Sequence, residues 1–346
     1  MLAFFSISAL MTKEYIIRSS FVDYFGIEPS RVIENLNLLH VGDAFLIKSS
    51  SFIGMIGGAM YFSTIRSINV MVEETLFNNC TALEAGAVFF SCENSGFVMD
   101  KVCGSDCFTD SDNDCQFGYI KTGTSKLNGY NMTTMTHCAP SSITNNIIGL
   151  KLVNGKQNLT YCNFTYNFGK THPTLHSETV HSELKFCTIA KNVATSNYIL
   201  QKSASSTNGF IKCNIIDNTS PSIVLNIFSQ SYFSDCIIQR NSNTLFQLNA
   251  YCYITNGWLK HPNNLVNIPS YVLLSGLTNS IEETETLFIQ HLSTQQCYVE
   301  YGNYCYPNPT PTECYAQNTD GVSILNLAKV FAWIYSTSLE ILIVNL

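Results

Sequence analysis

The chain has 346 residues, of which 46% are hydrophobic and only 12% are charged, and its net charge is −7. The charged share is about half that of an ordinary globular domain, whereas the apolar share is large enough for an extended core. Nucleic-acid binding is not expected, because the balance is acidic and no basic cluster occurs along the chain.

Residues 1–44 precede the first clear repeat and are predicted to form an N-terminal segment that caps the repeat region. The chain begins MLAFFSISALM. This apolar run has the character of a weak signal peptide, but no Lys or Arg precedes it and no clean small-residue cleavage site follows it. A first buried strand is the alternative interpretation.

Residues 45–275 are predicted to form a solenoid, because one pattern recurs four times at nearly constant spacing. Each copy has a cysteine, with Leu or Phe three residues before it, Phe or Ile two residues after it and Asn five residues after it. The cysteines are Cys162, Cys187, Cys213 and Cys236, spaced 25, 26 and 23 residues apart, and the asparagines are Asn167, Asn192, Asn218 and Asn241.

Strand geometry explains this pattern. Residues two apart on a strand face the same side, so the cysteine and the apolar residue after it are expected to point inward, with a bend just before the cysteine. The asparagine is expected to take the left-handed conformation of the next corner, where asparagines of adjacent turns can bond to one another. The sequence therefore predicts an all-β fold, a right-handed single-stranded parallel β-helix with rungs of about 25 residues.

Two weaker repeats extend the pattern. Cys80 and Cys252 are interpreted as less faithful copies of the cysteine position. Farther toward the N-terminus, the sequence GGAMYFS at residues 57–63 recurs as AGAVFFS at residues 85–91. Gly before an alternating apolar run suits a tight corner that leads into a strand.

The 14 cysteines fall into groups of different character. The four in the faithful copies lie whole rungs apart, so they are predicted to be buried core residues and not metal ligands, which cluster within a few residues. Cys103, Cys107 and Cys115 lie close together and predict a projecting loop that a disulfide closes in an oxidising compartment. No cofactor is predicted.

Metal binding has two candidate sites. Asp110, Asp112 and Asp114 alternate as at the start of a calcium loop, but the Gly and the final Glu of such a loop are missing, so a solvated acidic loop is the alternative. His172, His176 and His181 lie near Glu178, and a polar surface loop is the alternative there.

Five Asn-x-Ser/Thr sequons are candidate glycosylation sites: Asn79, Asn131, Asn158, Asn163 and Asn218. Together with the cysteines they favour a secretory route, although a chain rich in Asn and Thr also produces sequons by chance.

Residues 276–321 are rich in Cys and Pro and are interpreted as a cap or linker. Residues 322–346 are predicted to form an apolar helix, either a cap or a degenerate membrane anchor.

The Gly-Gly-Ala motif at residues 57–59 and the Phe-x-Asn-Cys motif at residues 77–80 resemble those of polymorphic-outer-membrane-protein-like surface proteins, known from chlamydial autotransporters and expanded in trichomonads. The resemblance covers about residues 50–257. It implies a right-handed β-helix on or near the cell surface with an adhesive role, and family members often carry a C-terminal membrane helix.

The predicted function is therefore non-enzymatic: a surface or secreted solenoid that binds host cells, glycans or proteins. The alternatives are a carbohydrate-active β-helix enzyme and an intracellular structural or decayed family member. Residues 318–320 match the Asn-Thr-Asp motif of pectin-degrading hydrolases, but neither His nor Arg follows them. Because glycoside cleavage needs two carboxylates placed across the bond, no catalytic residue is predicted.

Overall fold

Each turn of the chain passes through three parallel sheets, and this architecture confirms the predicted β-solenoid. The computed structural model describes residues 20–29, 31–33, 43–109, 115–139, 148–179, 181–196, 198–202, 208–242, 244–248, 251–260, 272–276, 286–294, 296–297, 303–304, 329–335 and 338–344. They form a right-handed parallel solenoid of about seven turns with about 26 residues per turn.

Sheet 1 contains β1 (Arg31–Ile33), β2 (Ala44–Lys48), β5 (Asn69–Glu73), β9 (Gly96–Asp100), β13 (Leu127–Asn131), β16 (Lys156–Thr160), β20 (His181–Lys185), β24 (Asn208–Ile211), β27 (Ser231–Ser234), β30 (Cys252–Thr255) and β32 (Val272–Ser275). Sheet 2 contains β3 (Ser51–Ile53), β6 (Leu76–Asn78), β10 (Cys103–Ser105), β14 (Thr134–Thr136), β17 (Asn163–Thr165), β21 (Thr188–Ala190), β25 (Asn214–Ile216), β28 (Ile237–Gln239) and β31 (Trp258–Lys260).

Sheet 3 contains β4 (Met60–Ser63), β8 (Val88–Ser91), β12 (Cys115–Lys121), β15 (Ile148–Val153), β19 (Leu175–Glu178), β23 (Tyr198–Lys202), β26 (Ile223–Ile227) and β29 (Thr244–Leu248). Three short parallel pairs join β7 (Thr81–Ala82) to β11 (Phe108–Thr109), β18 (Phe168–Gly169) to β22 (Val193–Ala194), and β33 (His291–Leu292) to β34 (Asn303–Tyr304).

The core is built by residues of like size that stack from turn to turn. Leu159 of sheet 1 lies beside Leu184, Leu184 beside Phe210 and Phe210 beside Phe233, and all four are fully buried. The rings of Phe210 and Phe233 stack at 4.4 Å. The four predicted cysteines and the Phe or Ile two residues after each belong to the same apolar core.

The corners between sheets are made by single residues in the left-handed conformation. The bend before each cysteine lies where the sequence predicts it, for example at Tyr161 (φ 55°) and Phe186 (φ 52°). The second corner differs from the prediction, because the left-handed residue is the one before each asparagine, such as Lys191 (φ 55°) before Asn192. The asparagine is thereby freed to point into the solenoid, where it is buried.

The weaker cysteine copies do not continue the predicted column. Ser105 pairs with Thr136 and Thr136 with Thr165, which puts Cys107 and Cys138 in the column of Asn167. Cys80 precedes them in that column, since Asn78 pairs with Ser105. The C-terminal copy is also displaced: Cys252 lies within a sheet 1 strand, opposite Ser231.

The N-terminal segment covers part of the outer face of sheet 1. A short helix, α1 (Phe21–Phe25), packs Phe21 against Ala44, Met71 and Val98. A capping box stabilises its start, where the Ser20 hydroxyl accepts from Asp23 N and the Asp23 carboxylate accepts from Ser20 N. Strand β1 also pairs with β2, so sheet 1 already begins inside the segment predicted as a cap.

The apolar C-terminal residues differ from the predicted helix. Strands β35 (Lys329–Tyr335) and β36 (Ser338–Val344) pair as an antiparallel hairpin. The physical reason is composition, because both strands are rich in β-branched and aromatic residues, which favour strands over helices. Over such a short apolar run, hydrophobicity alone cannot separate the two structures. No helix long and apolar enough to span a membrane occurs among the described residues.

Candidate functional site

A macromolecular or glycan ligand must meet the described part of this solenoid on its outer faces, because the inward side chains of all three sheets fill the core. Helix α1 covers the first part of sheet 1. The outer face of sheet 2 is covered by a segment of the chain itself, which we call the strap and define as residues 286–294, 296 and 297. Its contacts decide which faces stay open to ligands.

The strap runs along the solenoid against successive turns. At its start, Leu287 N donates to Asn214 Oδ1, and Asn214 Nδ2 donates to Leu287 O, both at 2.9 Å. Three turns earlier in the solenoid, Thr134 Oγ1 donates to Leu292 O at 2.6 Å. The strap thus supplies partners for outward polar side chains of sheet 2 and buries Thr134, Asn163, Thr188 and Asn214 completely. These residues belong to one column across β14, β17, β21 and β25.

His291 fixes the middle of the strap. Its Nδ1 lies 2.9 Å from Tyr161 O, and its Nε2 lies 2.8 Å from Thr188 Oγ1. The ring is completely buried, and this burial lowers the pKa of His291 to about 4. The imidazole is therefore neutral near pH 7 and holds the strap by hydrogen bonds and not by charge.

A disulfide closes the far end of the strap. Cys103 on β10 bonds to Cys297, 194 residues away in sequence, with Cα atoms 5.9 Å apart. This corrects the predicted loop disulfide within Cys103, Cys107 and Cys115, since Cys107 and Cys115 are free and buried. The reason is orientation: Cys103 lies on the outer face, whereas Cys107 follows the left-handed Asp106 (φ 54°) and turns into the core.

The four cysteines of the repeat are buried core residues. Cys162, Cys187, Cys213 and Cys236 are at most 1% exposed and carry no disulfide. Cys187 Sγ, for example, donates to Lys185 O at 3.2 Å and to Leu159 O at 3.4 Å in the preceding turn. Burial raises the pKa of the Cys187 and Cys236 thiols well above its ordinary value, so neither is a thiolate nucleophile near pH 7.

The asparagine column forms a continuous ladder. Asn167 donates to Asn192 Oδ1 from its backbone N at 3.0 Å and from its Nδ2 at 3.1 Å. Asn192 bonds in the same way to Asn218, and Asn218 to Asn241. Because every buried amide group finds a partner in the neighbouring turn, the ladder has a structural role.

The five sequons differ sharply in accessibility. Asn79 and Asn158 are exposed. Asn131 is bonded to Asp100, Asn163 lies in the column under the strap, and Asn218 belongs to the ladder. When the chain is expressed in a secretory host, we therefore expect glycans on Asn79 and Asn158 of the folded product and on none of the other three sites. Mass spectrometry of the secreted protein checks this, and a glycan on Asn218 of folded protein would contradict the placement of the ladder.

Of the two predicted metal sites, one lies outside the described residues and the other can be assessed. Asp110, Asp112 and Asp114 lie outside the described residues, as does the Asn-Thr-Asp motif. His172, just before β19, and His176, within it, have ring centres 4.9 Å apart, whereas His181 lies on sheet 1. In the part of the chain that the structure describes, no group of three His, Cys, Asp or Glu residues is arranged to hold a metal ion.

A cation of the protein itself occupies the place beside Glu178. Lys151 Nζ lies 3.2 Å from Glu178 Oε1, and His176 Nε2 lies 3.1 Å from the same oxygen. The His176 ring and the carboxylate are close, but their atoms are not aligned as a hydrogen bond. Burial lowers the pKa of His176 to about 4 and that of His172 to about 3, so both rings are neutral near pH 7.

The outer face of sheet 3 carries a continuous stripe of side chains, one per turn. Its members, which we call the outer stripe, are Tyr61, Phe89, Tyr119, Lys151, His176 and Gln201. The first three rings stack at 4.6 and 5.2 Å. All members except His176 are partly exposed. Sequence reasoning missed the stripe, although Tyr61 and Phe89 occupy matching positions of the glycine repeat.

An acidic pair on sheet 1 has unusual electrostatics but no access. Glu73 and Asp100 lie on neighbouring strands at paired positions. Burial raises the pKa of Asp100 to about 6, against the hydrogen bond from Asn131, which lowers it. Asp100 is completely buried and Glu73 nearly so, so a substrate cannot reach the two carboxylates in this conformation.

Comparisons of this chain with protein-family models, with curated proteins and with solved structures find no match.

Proposed function

We propose that this protein is a non-enzymatic binding solenoid, secreted or held at a cell surface, that recognises glycan chains along the outer stripe of sheet 3. The observation that carries the proposal is the stripe itself. It places aromatic, ammonium, imidazole and amide groups in successive turns, which follow one another at about 4.8 Å. A polymer with a repeating unit can contact such a row at several equivalent points.

The chemistry of the stripe favours a glycan over an apolar partner. The three aromatic rings stack face to face, so they present their edges, and in Tyr61 and Tyr119 a hydroxyl, to the outside. Lys151 supplies donors, and Gln201 supplies both a donor and an acceptor. Hydroxyl-rich ligands need many such groups at fixed positions on a rigid support, which a parallel sheet provides.

Export is supported by the disulfide between Cys103 and Cys297, since structural disulfides persist mainly in oxidising compartments. The two exposed sequons agree with that route. The proposal also matches the adhesive surface role implied by the resemblance to polymorphic-outer-membrane-protein-like proteins. A host-cell glycan is accordingly the ligand that we favour, and a protein ligand is the alternative that a binding screen would reveal.

The state of the outer acids favours binding over glycoside cleavage. On the described outer faces, Glu93 is paired with Lys121, Glu178 with Lys151 and Glu183 with Lys185. Lys185 and Tyr232 both contact the Glu183 carboxylate, and these contacts lower its pKa although burial opposes them. An ionised, ion-paired carboxylate is a poor general acid, whereas it is a good acceptor for ligand hydroxyls.

The proposal is tested by screening the purified protein on a glycan array and repeating the screen with Tyr119→Ala and Lys151→Ala. Each variant is expected to bind the best glycan about tenfold more weakly or worse, as truncation of a central interface residue does. Tyr253→Ala on the outer face of sheet 1 is the matched control and should bind normally. Absence of any glycan ligand, or equal binding by all three variants, would overturn the proposal.

Surface location has a separate test. Intact cells that express a centrally tagged chain are treated with protease, and the tag is expected to be lost before lysis. If the tag survives until the cells are lysed, the chain is not displayed, whatever it binds in vitro.

A further inference from the structure

The solenoid interior contains a polar cluster that the proposed function does not use. We call Gln157, Ser177, Ser182, Lys202 and Asn208 the interior polar cluster. All five are at most 1% exposed. Ser177 of sheet 3 donates across the interior to Gln157 Oε1 of sheet 1 at 2.7 Å, and Ser182 donates to the same oxygen at 3.3 Å. Because the first bond joins sheet 3 to sheet 1, whereas the second joins neighbouring strands of sheet 1, the side chains lie inside the coil.

Lys202 is the unusual member of this cluster, since its side chain is completely buried. Its Nζ lies 3.4 Å from Ser182 O and 4.5 Å from the centre of the Phe210 ring. A carbonyl dipole and an aromatic face reduce the cost of a buried ammonium, but they do not neutralise it. Burial lowers the pKa of Lys202 to about 7, and an anion beside the amine would favour its charged form.

Among the residues that the structure describes, no carboxylate forms an ion pair with Lys202. The sequence has no Asp or Glu between Glu183 and Asp217. The acids of the surrounding turns are engaged on the outside, Glu178 with Lys151, Glu183 with Lys185 and Asp217 with Arg240.

A thiolate does not replace the missing carboxylate. Among the cysteines, Cys213 has the largest electrostatic effect on Lys202. Its Sγ lies 3.5 Å from Leu184 O and 3.4 Å from Ile211 O, at hydrogen-bond distance for a thiol donor. A thiol has one proton, which either contact would use, because carbonyl oxygens accept and do not donate. The sulfur column therefore stays neutral beside the ammonium.

The cluster also has hydrogen-bonding capacity to spare. Gln157 uses its oxygen for the two serine hydroxyls, while its Nε2 has no partner among the described residues. The Lys202 ammonium carries three donors, of which one points to Ser182 O. Asn208 Oδ1 is also without a partner, but a neutral oxygen supplies no counter-charge, so the surplus donors and the cation call for an acceptor that carries negative charge.

We propose that the interior polar cluster binds a small inorganic anion of the size of chloride, held by Lys202 Nζ and Gln157 Nε2 and enclosed as the turns stack. A water molecule satisfies Gln157 but leaves the ammonium without a counter-charge. Phosphate or sulfate needs more donors than these two side chains supply. A monatomic halide matches both the charge and the number of donors.

The test compares unfolding of the full chain in sodium chloride and in sodium gluconate at equal ionic strength. In wild type, each tenfold rise in chloride above its dissociation constant is expected to shift the folding equilibrium about tenfold toward the folded state. Lys202→Met and the polar variant Lys202→Gln should both lose this response. Lys212→Met, which removes a charge outside the coil over the Phe186 ring, should keep it. A wild type indifferent to chloride, or a response that survives in both Lys202 variants, would overturn the site.

Direct observation provides a second readout. Crystals of protein refolded in bromide should show an anomalous peak within hydrogen-bond distance of Lys202 Nζ. Density without anomalous signal would mean that the cluster holds water and would refute the anion. Neither experiment depends on glycan binding, so the two proposals can fail separately.

Discussion

Replacing Asn192 with alanine is expected to lower the free energy of unfolding by about 3 to 5 kcal/mol. The Asn192 amide accepts from the backbone N and the Nδ2 of Asn167, and it donates to Phe164 O and Asn218 Oδ1. Alanine leaves these buried groups without partners, and each such loss costs about 1 to 3 kcal/mol. Equilibrium unfolding in urea, followed by circular dichroism, measures the change.

Asn158→Ala is the matched control, since Asn158 is exposed on sheet 1 of the same turn as Asn167. A surface substitution of this kind is expected to change stability by less than about 0.5 kcal/mol. If Asn192→Ala lowers the free energy of unfolding no more than Asn158→Ala does, water replaces the ladder hydrogen bonds without loss, and the column has no structural role.

The period of the sequence predicts the fold because each turn of a solenoid makes the same packing and hydrogen-bonding interactions as the turn before it. Four copies of the cysteine and asparagine pattern define the inward phase of two strands and the corner between them. The prediction misplaced the left-handed residue by one position, since Asn is the usual occupant of that conformation. In this chain, residues as bulky as Tyr166 and Arg240 take it instead (φ 57° and 51°), and the asparagines keep their side chains for the ladder.

Alignment on cysteine alone joined two different columns. Cys80, Cys107 and Cys138 occupy the position that asparagine takes in later turns, and Cys138 N donates to Asn167 Oδ1 where the residue type changes. Both columns accept a small buried side chain that bonds to the backbone. The residue type therefore changes along a column while the geometry stays constant, and a sequence pattern cannot report this without the register of the strands.

The strap lay beyond sequence reasoning for a different reason. Its contacts join residues that are far apart, such as Leu287 with Asn214 and Cys297 with Cys103. It follows no period, and the Cys- and Pro-rich composition of residues 276–321, which include it, is equally typical of a cap or a linker. Only tertiary structure reveals that Cys103 points outward while Cys107 points inward, and this orientation decides which cysteine can meet Cys297.

Loss of the strap disulfide is the second large effect that we expect. In the chain-entropy account, a bond that closes a loop of this length stabilises the folded state by about 5 kcal/mol, and measured values are usually about 2 to 4 kcal/mol. Cys297→Ser should lower the free energy of unfolding by an amount in that range. Dithiothreitol should bring wild type to the same value and leave the variant unchanged, because the other buried cysteines in the described residues are free.

Low pH should weaken the attachment of the same strap by protonating His291. A free strap has an ordinary histidine pKa of about 6.5, whereas attachment lowers it to about 4. Attachment is therefore unaffected above pH 7 and weakens as the pH falls from about 6.5 to about 4, by about 3 kcal/mol in all.

In Cys297→Ser, where no covalent bond holds the strap, limited proteolysis should cut residues 286–297 much faster at pH 5 than at pH 7. His291→Gln, which keeps a donor and an acceptor but does not titrate, should remove this difference in the Cys297→Ser background. Equal cleavage at both pH values in Cys297→Ser would mean that protonation of His291 does not control attachment of the strap. The pH would then have no effect on how the strap covers the outer face of sheet 2.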